Sequence, residues 1–429
     1  MRVPFCISYG LRLLRGKGGT ARYLRGAVVG VALSLLPLVV VLEVSGGMIQ
    51  GIMDRLLEVK SCHLQVSLNS EDSPEGIREM QDRVSGLPGV LTTVYERQGV
   101  GLFYSGTGSA GVTVRSVPDG FLDVDKGLAA YLETAAGRLE FPSSSVVLLG
   151  SGVARILGVT AGDTVTLLTT YGGNLSGMPK ATRFIVGGVF ATGYEQLDKA
   201  FAYVSAAAGD GFMTAGNSTR FLGIKVADPF SDIDGQADAV RDALPGNRRV
   251  TPWTYLEGAS YSSFQATRTM LLFIMTLVVI VASVNIFSSV LMLQIEKRQE
   301  IGILMGLGAR SGDVSLAFLL AGLVLGGIGT ALGLATGLVV AVNINGCIMV
   351  LQAFLDACTR LFAAISGQEI GQITLFNSSY YLQEIPIRIG LSETLGIAFG
   401  TFLVSGLASY LPARRAGRLK PLDIIRKAS

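Results

Sequence analysis

The amino-acid sequence predicts an integral membrane α-helical protein, with four transmembrane helices and a large α+β extracytoplasmic domain between helices 1 and 2. Hydrophobic residues make up 49% of the 429 residues and charged residues only 16%, a balance typical of membrane proteins. The apolar residues concentrate in four runs, each reaching the roughly 20 residues that span a bilayer core. A long stretch of strand-like segments separates the first two runs and predicts the extracytoplasmic domain.

The basic residues predict the orientation of the chain. Lys and Arg cluster before the first run, between the second and third, and after the fourth, so both termini are expected in the cytoplasm. We interpret the first run as an uncleaved span rather than a signal peptide, because its basic leader is long and no small-residue cleavage pattern follows. The expected segments are a cytoplasmic or interfacial N-terminal segment at 1–25, transmembrane helix 1 at 26–46, an extracytoplasmic domain at 47–267, transmembrane helix 2 at 268–295, a cytoplasmic coupling helix and loop at 296–314, transmembrane helix 3 at 315–345, an extracytoplasmic loop at 346–388, transmembrane helix 4 at 389–411, and a cytoplasmic tail at 412–429.

The extracytoplasmic domain is predicted to alternate strands with helices. A break near 136–145 predicts two subdomains. The residues Gly106 to Gly111 match the GxGxxG spacing of dinucleotide-binding loops, but they lie in a small-residue stretch that faces outward, so we expect a flexible loop. Strands are expected at 63–68, 146–149, 165–169, 184–190, 201–204 and 221–226, and helices at 75–85, 151–157 and 231–244.

Enzymatic chemistry is poorly supported by the sequence. The only histidine is His63, and neither a GxSxG motif nor a His/Cys metal spacing occurs. No GxxxxGK[ST] phosphate-binding loop occurs either, so any energy from ATP must come from a partner protein. We expect no cofactor or metal on this chain, and no nucleic-acid partner.

A short helix after the second run is the sharpest functional signal. Apolar residues recur there at helical spacing and form a ridge beside a charged cluster. Such an apolar ridge is expected to pack against another surface. The membrane surface is one option, with Lys297 and Arg298 at lipid headgroups. The other option, which we favour, is a groove on a cytoplasmic ATPase. The residues assigned to this coupling site are Glu296, Lys297, Arg298, Glu300, Ile301, Leu304 and Leu307.

Polar and proline residues within the first two runs are candidates for a gate. Pro37 removes an intrahelical hydrogen bond and is expected to kink helix 1, which could help to form a lateral gate. Glu43 is expected near the outer interface. Asn285 and Ser288 are expected to form hydrogen bonds between helices, with a role in a substrate pathway as the alternative.

The third run carries glycines at spacings that allow close helix packing in lipid. The sequence leaves open whether this stripe packs within the chain or against another subunit. A second open question concerns the cysteines, because Cys347 and Cys358 could pair in an oxidising compartment, although unpaired buried thiols are favoured. The glycines of the stripe are Gly322, Gly326, Gly329, Gly333 and Gly337.

A set of short motifs extends over nearly the whole chain. In their order and spacing they resemble the permease subunits of the lipoprotein-releasing ABC transporter, the LolC/LolE family within the MacB/FtsX-like superfamily. Cys62 stands where that family usually has proline, and the coupling and closing motifs are shared with MacB-type permeases. The motifs are 8–12 through Ser45-Gly46-Gly47-Met48, Cys62-His63-Leu64-Gln65-Val66, 149–159 with Gly162-Asp163, 190–195, 285–289, 300–309, 380–386, and 411–416 with Lys420-Pro421.

The resemblance implies a permease subunit in the inner membrane that has no ATP site of its own. It implies a LolD-like cytoplasmic ABC ATPase that binds ATP and Mg, and a second permease subunit, identical or paralogous. The implied activity is extraction of lipoproteins from the outer leaflet and delivery to a periplasmic carrier. The carrier-binding loop of the family falls at 171–182, so Tyr171, Met178 and Pro179 are candidate docking residues.

Two other functions stay open on the sequence. One is a MacB-like efflux permease, and the other is an FtsX-like transmembrane regulator of an outer cell-wall hydrolase. The large outer domain disfavours the regulator. The motif at 380–386 and the pair Gly158 and Asp163 favour lipoprotein release over efflux.

Overall fold

The computed structural model describes residues 19–69, 71–170, 179–214, 216–246, 248–366, 386–387 and 389–417. The chain divides into two compact units. The first contains the long apolar helices and comprises Met1–Gly47, Gln265–Ile370 and Ile385–Ser429. The second is an α+β domain that comprises Met48–Phe264 and Gly371–Glu384. The predicted combination of apolar helices with an α+β domain is therefore confirmed.

The elements follow one another along the chain with short connections. In chain order they are α1 (Gly19–Arg55), a π-helix (Leu56–Ser61), β1 (Leu64–Ser67), α2 (Pro74–Ser85), β2 (Val90–Tyr104), β3 (Ser109–Val117), α3 (Phe121–Val124), α4 (Lys126–Ala129), β4 (Glu133–Gly137), β5 (Val146–Gly150), α5 (Ser151–Leu157), β6 (Thr164–Thr170), β7 (Pro179–Ala191), α6 (Glu195–Asp198), β8 (Phe201–Ser205), α7 (Ala206–Phe212), β9 (Ser218–Val226), α8 (Ile233–Ala243), β10 (Val250–Pro252), α9 (Trp253–Leu256), α10 (Gly258–Glu296), α11 (Arg298–Gly306), α12 (Ser311–Val342), α13 (Ile344–Ser366) and α14 (Leu391–Ala416).

Four helices in the described part of the chain are long and apolar enough to cross a membrane. They are α1 with the π-helix, α10, α12 and α14, and each overlaps one of the four predicted runs. Helix α1 runs without interruption through Pro37. Apolar side chains from all four helices form one buried cluster, so these helices pack together as a bundle.

The glycine stripe of α12 packs within the chain. Three of its glycines face α1, and a Cβ atom on each would lie 2.8 Å from the Cβ of the facing residue, closer than real Cβ contacts. Since the residue numbers rise together on both helices, α1 and α12 run parallel. The facing pairs are Gly329 with Val31, Gly333 with Leu35, and Gly337 with Val39.

The other two glycines of the stripe face α14. A Cβ on Gly322 would overlap Ser409, and a Cβ on Gly326 would overlap Ser405, so α12 and α14 run antiparallel. Val290 of α10 lies beside Gly322, which brings α10 against the same part of α12. All five glycines are therefore occupied by intrachain packing, and the alternative of a subunit interface is not needed to explain them.

Helix α13 is a helix that the sequence did not predict. It occupies Ile344–Ser366 directly after α12 and overlaps the segment 346–388, which is expected to be an extracytoplasmic loop. Its apolar residues recur with helical period, whereas Asp356, Arg360 and the amide side chains interrupt the run enough to hide the helix from a search for membrane spans.

The α+β domain is built on a mixed sheet of ten strands among its described residues. The strand order is β10-β1-β9-β2-β3-β8-β5-β7-β4, and β6 pairs with both β2 and β7. Neighbours are antiparallel except for β3 with β8 and β5 with β7, which are parallel. The predicted strands and helices of this domain are all present.

Central strands of the sheet are buried on both faces, and this produces two apolar cores. Leu148 of β5 and Tyr203 of β8 belong to one core, whereas Leu149 and Val204 belong to the other. Because the cores share the same strands, the predicted break at 136–145 does not separate two subdomains.

The hairpin of β2 and β3 was not predicted. The expected loop at 106–111 is a turn only as far as Gly108, and Ser109 already begins β3. Glycines within the strands concealed the pattern. Gly101 is required because a Cβ there would lie 2.6 Å from the Leu167 side chain of β6.

Candidate coupling and transmission site

Helix α11 lies at one end of the bundle, which we call the coupling end. Ile301 is 0% exposed and belongs to the buried cluster of the bundle, so it cannot contribute to an exposed ridge. Leu304 is half-buried. The apolar side chains that α11 exposes are Ile303, at 59%, and Leu307, at 81%. The exposed ridge is thus Ile303 and Leu307, which corrects the predicted set.

The charged residues of the coupling site lie at or near the protein surface. Glu296, Arg298 and Glu300 are exposed, and Lys297 is half-buried. Lys297 pairs with Glu300 one turn later. The short helix therefore presents two apolar side chains next to charges of both signs. Protein–protein interfaces often have this arrangement, with an apolar centre and a polar rim.

Contacts with α12 and α14 hold α11 in place. Ile301 shares its buried cluster with Val314 and Phe318 of α12 and with Ala413 and Ala416 of α14. A force on α11 would therefore be transmitted to these two spans, because interiors packed at this density deform little.

Two polar contacts close the coupling end. With its amide oriented to satisfy both groups, Gln294 of α10 donates to the carbonyl of Pro412 and accepts from the N–H of Ala416, each at 3.3 Å. The hydroxyl of Ser311 donates to the carbonyl of Gly417. These contacts explain the closing motif at 411–416: its small residues pack inward, and Gln294 binds its backbone.

Glu43 lies at the opposite end of the bundle, which we call the far end. Its side chain is 2% exposed. One carboxylate oxygen accepts from the backbone N–H of Gly390 at 3.1 Å, and the other accepts from the hydroxyl of Thr394 at 2.9 Å. Glu43 thus caps the N-terminus of α14, where a negative charge is favourable.

Two further contacts join helices at the far end. Gly47 of α1 lies so close to the backbone of Pro386 that a Cβ would overlap the Pro386 carbonyl oxygen. Arg268 of α10 forms an ion pair with Glu393 in the first turn of α14. The entry to α14 is therefore bonded to both α1 and α10.

The other predicted gate residues are not brought together with Glu43. Pro37 and Ser288 are exposed on the bundle surface. Asn285 is exposed as well, and its amide lies beside Gly30 of α1, where a Cβ would lie 3.0 Å from Nδ2. These residues lie at the surface rather than around one internal cavity.

The start of the α+β domain forms a second candidate site, at the π-helix. The ammonium of Lys225 lies 2.6 Å from Glu58 and 2.7 Å from Asp125, and it also donates to the Glu58 carbonyl at 3.0 Å. His63 accepts from the Val226 N–H through Nδ1, so Nε2 carries the proton and donates to Glu58. The π-helix is thus bonded to β9.

A buried arginine holds the other side of the π-helix. Arg115 of β3 donates to the carbonyl of Val59 and pairs with Glu96 of β2, with Nε at 2.7 Å from the carboxylate. Both side chains are 1% exposed. Lys60 pairs with Glu257 at 2.8 Å, immediately before α10 begins.

Arg55, the last residue of α1, is bound by the motif at 190–195. Its Nε donates to the carbonyl of Thr192 at 2.7 Å, and its guanidinium lies over the ring of Tyr131. Asp198 holds that loop through two 2.7 Å bonds from Thr192. The structure thereby gives this motif a role, which is to fix the end of α1.

The pKa shifts in this cluster follow from burial and charge. Burial alone would lower the pKa of Lys225, but Asp125 and Glu58 raise it above the usual value. The pKa of Arg115 is raised in the same way, because the charge of Glu96 outweighs burial. Burial raises the pKa of the Cys62 thiol to about 12. The two cations stay charged, and the thiol stays neutral, throughout the physiological range.

Cys62 has an unusual backbone conformation. Its φ is 57°, in the left-handed region, directly after the π-helix. Proline cannot adopt this angle because its ring holds φ near −65°.

Some predicted features receive no support from the geometry. Tyr171 and Met178 of the candidate carrier loop lie outside the described residues, and Pro179 begins β7. Cys62, Cys347 and Cys358 are free thiols, and Cys347 and Cys358 are exposed rather than buried. The described ranges contain no cluster of three or more side chains suited to a metal.

Sequence reasoning missed several of these site residues. Arg55, Glu58 and Lys225 were not singled out, although Lys225 interrupts the apolar strand at 221–226 and so carried a signal. Gln294 and Thr394 gave none, because isolated polar residues at the ends of spans are common.

The long apolar helices define the class of the chain as a multi-pass membrane protein. Residues 272–421 match the family described as FtsX-like permease C-terminal. Over nearly its whole length the chain is similar to "Lipoprotein-releasing system transmembrane protein LolC" of Xylella fastidiosa, at 26% identity covering 99% of both chains. It is likewise similar to the LolE protein of Haemophilus influenzae, at 25% identity covering 99% of both. The LolC/LolE resemblance is confirmed.

More distant similarity connects the chain to MacB. "Macrolide export ATP-binding/permease protein MacB" of Escherichia coli O157:H7 is 29% identical over 208 residues, which cover 47% of this chain and 26% of MacB. The solved periplasmic region of MacB from Actinobacillus actinomycetemcomitans aligns with 48% of this chain and 96% of its own, at 13% identity and a TM-score of 0.30.

Proposed function

We propose that this chain is a permease subunit of an ABC transporter that extracts lipoproteins from the outer leaflet of the inner membrane and passes them to a periplasmic carrier. ATP is hydrolysed by a partner ATPase, and a second permease subunit, identical or paralogous, completes the membrane part. Both termini lie in the cytoplasm. The nearly full-length similarity to LolC and LolE supports this proposal over a MacB-like or FtsX-like function.

The observation that carries the proposal is the build of the coupling end. Helix α11 exposes Ile303 and Leu307 while Ile301 anchors it in the bundle. A partner ATPase that binds the exposed pair would move α12 and α14 with it. The exposed carboxylates of Glu296 and Glu300 supply contacts for basic side chains on that ATPase.

The π-helix is held firmly within the α+β domain. Helix α1 is continuous from Gly19 to Arg55, and Arg55, Glu58 and Val59 are each bonded to the domain.

The cargo explains why ATP is needed. Each buried CH₂ contributes about 0.8 kcal/mol, so an acyl chain of about fifteen carbons costs roughly 12 kcal/mol to transfer into water. Lipoproteins carry two or three such chains, which must stay shielded between the bilayer and the carrier. No substrate crosses the bilayer in this mechanism.

Depletion of the protein in cells tests the proposal. We expect outer-membrane lipoproteins to accumulate in the inner membrane, and wild-type chain to restore their sorting. A variant with Ile303→Asp and Leu307→Asp should fail to restore it, whereas Gln299→Asp, which adds one charge at an exposed polar position of α11, should succeed. Unchanged sorting on depletion would contradict the proposal and favour efflux or regulation.

A further inference from the structure

Helix α13 exposes its apolar side chains and covers its polar ones. On the exposed side, Met349 is 68% exposed, Val350 71%, Leu351 50% and Phe354 63%. Cys347 and Cys358 lie on the same side and are also exposed. A helix in contact with water would show the reverse distribution.

The polar side chains of α13 lie on the half-buried side. Gln352 donates to Asp356 at 3.0 Å, and the Thr359 hydroxyl donates to the Asp356 carbonyl at 3.0 Å. These groups bond within the helix itself. The exposed sector between Gly346 and Cys358 thus contains no charged side chain, and Arg360 lies just beyond it.

The position of α13 indicates what covers the apolar sector. The helix begins at Ile344, two residues after α12 ends at Val342. Val339 and Val342 at that end of α12 are 64% and 51% exposed, so the apolar surface of the span continues into that of α13. Because α12 and α14 run antiparallel, α13 lies in a connection that starts and finishes at the far end of the bundle.

We propose that α13 is an interfacial helix whose apolar sector, from Cys347 to Cys358, is inserted into the hydrocarbon edge of the lipid leaflet at the far end of the bundle. The occupant of this face is lipid rather than a protein. Arg360 at the border of the sector reaches the headgroups along its aliphatic stem. In the orientation given under the proposed function, the leaflet at the far end is the outer leaflet. The proposed contact between α13 and lipid does not depend on which cargo the protein carries.

The two cysteines make the test direct. Versions of the full-length protein that keep Cys62 and either Cys347 or Cys358, with the other two cysteines changed to Ser, are spin-labelled in lipid nanodiscs, where buried Cys62 stays unlabelled. Collision rates with oxygen and with a water-soluble nickel complex are then compared. Leu407→Cys on the exposed face of α14 serves as the lipid reference, and Asp123→Cys in the outer domain serves as the water reference.

We expect the ratio of oxygen to nickel collisions at Cys347 and Cys358 to match that of Leu407→Cys and to exceed that of Asp123→Cys severalfold. Nickel collisions as frequent as at Asp123→Cys would overturn the proposal, because the sector would then face water. Protection from both reagents would overturn it equally, because another protein surface would then cover the helix.

Discussion

The carboxylate of Glu43 in α1 accepts a 2.9 Å hydrogen bond from the hydroxyl of Thr394 in α14. These residues are far apart in the chain, and their contact fixes the far end of the bundle just as Ile301 fixes the coupling end. The bundle is thus held at both ends by α14, which the sequence describes only as the last apolar run.

Removal of the Glu43 carboxylate is expected to destabilise the bundle. Glu43→Ala leaves the Gly390 N–H without its acceptor, at a cost of about 1–3 kcal/mol, whereas the Thr394 hydroxyl still donates to the Gly390 carbonyl at 3.0 Å. Glu43→Gln keeps one acceptor oxygen and should lose less. Thermal unfolding of the purified protein in detergent measures both, and Ser34→Ala in the same helix is the control. Equal stability of Glu43→Ala and wild type would show that the cap contributes nothing.

Side chains added along the glycine stripe should separate α1 from α12. Gly333→Val brings its Cβ to 2.8 Å from that of Leu35, and overpacking of this kind costs about 1–3 kcal/mol. Gly327→Val is the matched control, because its Cβ would meet only Phe402, at 3.9 Å. The two variants are compared by their thermal unfolding after purification in detergent. Tolerance of Gly333→Val equal to that of the control would contradict the close packing of these helices.

Loss of Lys225 should destabilise the outer domain more than loss of the whole charge pair. Lys225→Met leaves Glu58 and Asp125 without their buried partner, at a cost of about 3–5 kcal/mol. The double variant with Asp125→Asn should recover part of that loss. Unfolding of each full-length variant, followed by the fluorescence of Trp253, provides the measurement. A double variant less stable than the single one would disprove the pairing.

Alkaline pH should destabilise the outer domain through Cys62. The thiol stays protonated in the fold until pH of about 12, whereas in the unfolded chain it ionises near its ordinary pKa of 9.0. The unfolded state therefore binds fewer protons between these values, and stability falls by up to about 1.4 kcal/mol per pH unit. Cys62→Ala removes this contribution, so its stability should depend less steeply on pH above 9. Identical slopes for the two proteins would contradict a buried neutral thiol.

Alanine substitutions at Ile301 and Leu307 should differ in their effects on stability and on coupling to the partner ATPase. Ile301→Ala creates a cavity in the bundle and is expected to cost about 2–5 kcal/mol. Leu307→Ala changes an exposed side chain and should leave stability within about 0.5 kcal/mol. Unfolding midpoints give the stability, and stimulation of the partner ATPase gives the coupling. Loss of stimulation without loss of stability is expected only for Leu307→Ala.

The sequence predicted the four apolar helices well because uncharged runs of that length have few other structures available to them. It predicted strands such as β1 and β9 from their alternation, but it missed β2 and β3 because Gly101 and Gly111 broke the pattern. It also placed Ile301 on the exposed ridge. Helical spacing identifies an apolar face, yet it cannot say whether that face meets the same chain or a partner.

The contacts of Glu43, Gln294 and Arg115 could not be predicted from the sequence, and the reason differs from that for Ile301. Each joins elements far apart in the chain, and a single polar residue gives no indication of its partner. Lys225 shows that a charge inside an apolar strand is the one local signal of such a site.

We propose that a partner ATPase binds the exposed side of α11. Photo-crosslinkers placed at Ile303 and Leu307, and at Ile295 as the control on the adjacent span, test it most directly in intact cells. We predict a crosslinked nucleotide-hydrolysing protein from the first two positions and none from the third. Crosslinks from Ile303 and Leu307 to lipid alone would contradict this binding, because α11 would then rest on the membrane surface.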